Sequence, residues 1–410
     1  MKNKEYLNIM DNKIRYFIYD YAYLLFILLI SICALIIRFD WWFLESHDYT
    51  KYLLPWCQYL ENNGGFLGLS SLQSDYNVSY LYILAAFTYL PLSYLSKIKI
   101  VSIIFDFACA IASSLLIKHF TNNKNSKLIS TITYSLVLFV PTVIANSSAW
   151  GQCDSIYVSF ILFSLYFLLD ENYKLSFLFY GISFAFKLQA IFILPLFIIL
   201  YFNKKDFSIV NFLIVPIINF LIYIPAWLLG RPLNLLWNIY FIQTNEYKAA
   251  VLNFPNIYNF LPSNINIFNF SGLIFTISIL GILLMFILFG KSKLTNLEII
   301  KLALLLNLLT TYFLPSIHDR YTYLADILAV IYCIIKKEKF MVTLGLILIS
   351  LNSYIFSLLG IIAIPMKIAA SIQLILVYMI LVDFIKPFNS ANEIENSINN
   401  CTNSNVKIPI

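Results

Sequence analysis

Histidine and aspartate stand side by side twice in a chain that is otherwise mostly apolar. His47-Asp48 follows the first apolar run, and His318-Asp319-Arg320 lies between two late ones. Only three histidines and 21 acidic residues occur among 410, so two of the three histidines adjoin an aspartate. A carboxylate placed this way can take a proton from an attacking hydroxyl, and an arginine can hold an anion through paired hydrogen bonds. Such clusters can also ligate a metal. Ionisable groups at the ends of membrane segments are costly to keep and usually functional. On one face of a bilayer the two clusters could line one site.

Further constellations carry polar groups of the same kind. Around His47-Asp48, the loop 39–78 alternates acids with aromatics: Asp40, Trp41, Trp42, Glu45, Tyr49, Trp56, Asp75 and Tyr76. Tryptophan and tyrosine suit both the membrane interface and stacking on sugar rings. The plain alternative is an amphipathic loop lying on headgroups, yet two aspartates, a glutamate and a histidine within 40–48 exceed what solubility requires. The run Trp150-Gly151-Gln152-Cys153-Asp154 precedes an apolar segment. Asp154 there either caps the helix or contacts a ligand, and can do both. Lys187 and Gln189 sit between two short apolar segments, where a lysine snorkels or meets a phosphate or an acidic partner. Asp319-Arg320 reads as an internal ion pair or as an anion clamp. Asp106, embedded in an apolar segment, reads as a packing residue paired with a Lys or Arg.

Membrane helices must position these groups. Sixty per cent of the residues are hydrophobic, 17% are aromatic and the mean hydropathy is +0.80, so the fold class is an all-α polytopic membrane protein. Apolar segments lie at 19–38, 79–96, 98–117, 129–145, 154–169, 175–189, 190–202, 208–229, 271–290, 295–314, 321–335, 340–358 and 361–385. The net charge of +6 comes from lysines clustered between them, as at cytoplasmic flanks, and marks no nucleic-acid partner. The N-terminal basic residues (Lys2, Lys4, Lys13, Arg15) and an apolar run without a small-residue cleavage site read as an anchor helix.

Alternating crossings predict that segment 79–96, with Pro91 and four tyrosines, is partial or interfacial. Segments 175–189 and 190–202 are expected to meet near Lys187, below the outer surface. About 12–13 transmembrane or partly spanning helices result, with both ends cytoplasmic and 39–78, 146–153, 230–270 and 315–320 outside. Lys97 and Lys99 then fall outside, against the positive-inside trend: either the topology differs there or they contact anionic headgroups. Residues 1–335 are expected to form a catalytic module, 336–387 terminal membrane helices, and 388–410 a disordered cytoplasmic tail. Six cysteines show no metal-ligand spacing, and Cys57 and Cys153 read as two thiols or one disulfide.

Together the motifs resemble the GT-C superfamily of polytopic glycosyltransferases, and most closely the bacterial relatives of the GPI-anchor mannosyltransferases. The resemblance rests on Arg38, Ser46-His47-Asp48-Tyr49 and Pro55-Trp56, on the run Trp150 to Tyr157, on Phe186 to Gln189, and on His318 to Tyr321. It extends from about 38 to 335, and the run ending at Tyr157 is its most specific part. It implies a GT-C fold with a catalytic first outer loop. The implied reaction is inverting transfer of a hexose, mannose by family naming, from a polyprenyl-phosphate-linked sugar donor to a cell-surface glycan or glycolipid acceptor. The implied place is the extracytoplasmic face of the cell membrane, with membrane lipid as a further partner.

Asp48 is the implied general base, with Asp40 as an alternative in the same loop. Arg38, His47, Tyr49, Gln152, Asp154, Lys187, Gln189, His318 and Arg320 are implied substrate contacts, with Arg320, His318 and Lys187 as cations toward the lipid phosphate. His47 stands where the family more often has a small residue. The chain has no Asp-x-Asp pair, and these residues require neither metal nor cofactor. A transporter or flippase of lipid-linked saccharides would show internal repeats and midplane charges. A polysaccharide polymerase or ligase would depend on a large late outer loop rather than on acids just after the first helix.

Overall fold

Backbone groups that meet lipid instead of water are satisfied by coiling into helices, and the apolar runs do so here. The computed structural model describes residues 2–122, 125–246, 249–261, 268–290 and 293–404. Seven of its helices are long and apolar enough to cross a membrane: Asp11–Phe39, Tyr94–Phe120, Ile209–Leu228, Phe270–Phe289, Asn296–Phe313, Lys337–Leu359 and Met366–Pro387. Twenty helical residues rise about 30 Å, the thickness of the hydrocarbon core. A bent pair, Ser126–Leu138 with Pro141–Trp150 at 53°, makes an eighth if counted as one span. The bend falls where Val140 leaves helical geometry and Pro141, lacking an N–H, opens the second piece. The chain is an all-α polytopic membrane protein.

Fewer segments cross at full length than the sequence implied. Val78–Phe87, Asp154–Leu169, Leu188–Asn203 and Tyr323–Ile335 are apolar helices of 10–17 residues. Three of these begin at or just after a polar motif, namely Asp154, Lys187 and His318-Asp319-Arg320. Polar residues that bond to one another end the helices early. Segment 79–96 is partial, as expected: its helix stops at Phe87 and the chain passes Pro91 before Tyr94–Leu116 starts. Tyr173–Phe186 and Leu188–Ile193 meet at an extended Lys187 (φ −152°, ψ 133°), which forms the expected hairpin.

The innermost helix is Asn296–Phe313, with 78% of its span buried, whereas Asp11–Phe39 is 11% buried and turns Tyr19, Leu29 and Ile36 outward. A capping box of Thr295 and Glu298 starts the inner helix. Arg38 and Asp106 form a fully buried ion pair at 2.9 Å. Arg38 also donates to the carbonyls of Ala34 and Leu138, and Asp106 accepts from Ser147 and Tyr323. Asp106 is thus the expected packing residue. Arg38 is corrected from a substrate contact to its partner, because Asp106 and two carbonyls take up its guanidinium.

Lys97 and Lys99 also read differently in three dimensions. Lys99 Nζ donates to the carbonyls of Trp41, Trp42 and Leu44 at 2.7, 3.0 and 2.7 Å, and Lys97 Nζ to that of Phe87 at 2.5 Å. They bond to carbonyls in the turns that follow two helices, so neither a headgroup contact nor a different topology is needed. The last helix, Met366–Ser404, continues through Pro387, so the backbone of 388–404 is helical where composition pointed to disorder. No glycine or second proline interrupts it there; residues 405–410 lie outside the described residues. Cys57 and Cys153 are buried free thiols.

Candidate active site

Asp48 lies in the turn after the first long helix, and Ser46 fixes that turn. The Ser46 Oγ donates to the Trp150 carbonyl at 2.7 Å and accepts from the Tyr49 amide at 3.2 Å. Residues Tyr49–Leu53 then wind as a π-helical turn, and Ala145–Trp150 form a second one opposite. Such turns recur at functional sites. Gly151 ends the second turn at φ 72°, a left-handed conformation that glycine adopts without steric cost. The reversal points Trp150 and Gln152 at one atom. Trp150 Nε1 donates to Asp48 Oδ2 at 3.1 Å, and Gln152 Nε2 donates to the same oxygen at 2.6 Å. Asp48 Oδ1 has no partner among the described residues.

A short parallel pairing brings the second cluster in. Val251 and Leu252 lie against Ile317 and His318. Ser316, held at φ 58°, anchors the turn through its amide to the Ala250 carbonyl at 3.0 Å and its hydroxyl to that of Ala249 at 2.9 Å. The result is a cavity of about 400 Å³ whose walls include Glu45, His47, Asp48, Lys51, Gln152, His318, Asp319 and Arg320.

Arg320 organises the charge below that cavity. Its Nη1 is 3.6 Å from Asp48 Oδ2 and 3.4 Å from Asp319 Oδ1, and its Nε is 3.4 Å from Asp154 Oδ2. The guanidinium also stacks over the Trp150 ring at 5.4 Å. Asp154 is shared with Lys187 and accepts from Asn146 at 2.9 Å. Burial opposes the charge on Arg320, but Asp154, Asp48 and Asp319 together hold its pKa well above the usual value. Burial pushes Asp319 up to about 6, against the pull of Arg320 and a hydroxyl from Ser357. Burial, then the positive charges of Arg320 and Lys187, push His318 down to about 2. Burial thereby favours the neutral imidazole at His318, against its expected role as a cation.

Of the residues singled out by sequence, His47, Asp48, Gln152, His318 and Arg320 share the cavity. Asp154 lies beneath it, fully buried, and neither caps its helix nor faces the cavity. Lys187 takes the acidic partner among its alternatives, and that pairing holds it away from the cavity. Tyr49 is a packing residue at 5% exposure. Gln189 is half-buried and lies outside the cavity lining. Asp40 is exposed and also outside it, so Asp48 is the acid the geometry favours.

No protein-family model matches the chain. Over 109 residues it is 32% identical to GPI mannosyltransferase 1 of Saccharomyces cerevisiae (strain ATCC 204508 / S288c). The relative is a glycosyltransferase. The match covers 26% of this chain and 26% of the yeast protein, so the likeness is distant and spans about a quarter of that relative's length. It is shorter than the stretch of 38–335 over which the motifs are spread, and the relative is a yeast protein rather than a bacterial one.

Sequence reasoning found no motif in residues 340–410, yet Phe340–Leu359 supplies three supports. Ser350 donates to Asp326 at 2.8 Å, the Tyr354 hydroxyl accepts from Asn146 at 3.0 Å, and the Ser357 hydroxyl donates to Asp319. Polar residues at 350, 354 and 357 recur with helical spacing on one face of an apolar segment. That stripe was the available signal.

Proposed function

We propose that the cavity is the active site of an inverting glycosyltransferase. It moves a hexose, with mannose a candidate, from a polyprenyl-phosphate-linked donor to a hydroxyl of a cell-surface glycan or glycolipid. The reaction takes place on the extracytoplasmic face of the cell membrane. One observation carries this reading: Asp48 is tethered through Oδ2 by Trp150 and Gln152, which leaves Oδ1 to a cavity of hexose-accommodating size.

An acceptor hydroxyl bonded to Oδ1 loses its proton to Asp48 as its oxygen attacks the anomeric carbon. The bond from that carbon to the phosphate oxygen breaks on the opposite side, which inverts the centre. A carboxylate suffices as base because the hydroxyl turns acidic only as the new bond forms. The two tethers hold the base in one orientation, so little ordering is left for the reaction itself. Arg320 supplies positive charge near the leaving phosphate, and the neutral His318 offers a hydrogen bond rather than a charge. The likeness to a mannosyltransferase favours transfer over transport.

The test is to give membranes containing the protein a set of polyprenyl-phosphate-linked hexoses and to assign the product anomer by NMR. Donor consumption with an inverted product supports the reading. A retained configuration, or no donor consumed, contradicts it. Labelling of His47→Cys by a membrane-impermeant thiol reagent on intact cells tests the outward face, and protection would contradict it.

A further inference from the structure

The helix Phe340–Leu359 ends with Ser357 in the cavity wall, and the transfer step assigns this residue no role. Its hydroxyl donates to Asp319 Oδ2 and accepts from Asn253 Nδ2 at 3.2 Å. Asn253 also lines the cavity and sits at φ 57°, a left-handed conformation that asparagine tolerates better than most residues. The other oxygen of Asp319 faces Arg320, whose Nη1 is in turn 3.6 Å from Asp48. A chain of contacts thus runs Asn253, Ser357, Asp319, Arg320, Asp48.

We propose that Ser357 is a positioning residue for the transfer: by occupying Oδ2 of Asp319 it turns Oδ1 to Arg320, so that the guanidinium is shared between Asp319 and Asp48. The proposal rests on the reading of Asp48 as base.

The physical reason lies in how few partners Asp319 has. The charged and titratable groups around it are Arg320 and His318 on its own turn, Asp48, Asp154, and Tyr354 on the helix of Ser357. Among the described residues Arg320 is the cation in direct contact with Asp319, and two carboxylates oppose ionisation. A donated hydroxyl favours the ionised form, and its loss favours the neutral one. Once protonated, Asp319 no longer draws on Arg320. The guanidinium is then left to Asp48 and Asp154 and shifts from the position it holds when Asp319 shares it.

Asp319 titrates at about 6 and is ionised above that. Ser357→Ala is expected to raise this midpoint by about one pH unit. The acid limb of kcat should move upward with it, while KM for the acceptor stays nearly constant. Ser357→Thr keeps the hydroxyl and should restore both.

The experiment uses the full chain in lipid nanodiscs. Infrared titration follows the Asp319 carboxyl band, assigned by its loss in Asp319→Asn, alongside sugar transfer against pH. A midpoint that rises in Ser357→Ala and returns in Ser357→Thr supports the proposal. An unshifted midpoint overturns it whatever the transfer rate, as does a Ser357→Thr protein that behaves like Ser357→Ala. A midpoint that rises in Ser357→Ala and returns in Ser357→Thr, while the wild type transfers no sugar, supports the contact chain and overturns only the transferase reading.

Discussion

Nη1 of Arg320 stands 3.6 Å from Oδ2 of Asp48, and the same guanidinium lies 3.4 Å from both Asp319 and Asp154. One cation therefore joins carboxylates from three separate parts of the chain. Removing it leaves Lys187, already committed to Asp154, against three buried or half-buried acids. Arg320→Ala is expected to cost about 3–5 kcal/mol of stability, the usual penalty for orphaning buried charge. Arg320→Lys should recover only part, since an ammonium cannot span three acceptors in one plane. Thermal unfolding in detergent measures both.

In the proposed transfer Gln152 holds the base without touching the reacting atoms. Gln152→Ala removes a 2.6 Å hydrogen bond to a carboxylate, a contact of about 1.5–3 kcal/mol. Steady-state kinetics should show kcat falling by about tenfold to a hundredfold with acceptor KM little changed. A rise in KM alone would mean that Gln152 binds substrate instead.

His318 makes the fold acid-sensitive. Its pKa is about 2 in the folded chain against 6.5 ordinarily, so only the unfolded chain takes up this proton as pH falls below 6.5. The stability it contributes is present above 6.5 and drains away toward pH 2, at up to about 1.4 kcal/mol per unit. Asp319 acts in the opposite sense: the folded chain binds its proton near 6, the unfolded chain near 3.8, and acid between these values favours folding. His318→Asn removes the first effect and keeps the second. Melting temperatures at pH 7 and pH 5 should show a smaller acid loss in the variant than in the wild type.

Much of this was legible in the sequence, and the rest had physical reasons to be hidden. Hydropathy gave the membrane class, and the Lys187 hairpin followed from two runs too short to span. Asp48, Gln152 and Arg320 stood out because polar groups are costly between apolar runs. Arg38 stood out for the same reason but serves packing with Asp106, and spacing alone cannot separate a buried ion pair from a ligand contact. Lys97 and Lys99 were opaque because their partners are backbone carbonyls, which every sequence supplies. The charge of His318 was hidden as well, since burial and two nearby cations decide it.

The Arg38–Asp106 pair should behave as structure, not as site. Arg38→Met strands Asp106 in the bundle and should cost about 3–5 kcal/mol. The double variant Arg38→Met/Asp106→Leu should recover a large part, read as a coupling energy from unfolding. Transfer per folded molecule should stay near wild type in the double variant.

The most direct measurement is kcat for sugar transfer by Asp48→Asn, in protein shown to be folded by its melting curve. Asparagine keeps the shape and an oxygen for Trp150 and Gln152 but cannot take a proton. Loss of the base should lower kcat by about 10²–10⁴-fold with donor binding retained. A near-normal kcat in Asp48→Asn would contradict the assignment of Asp48 as the base.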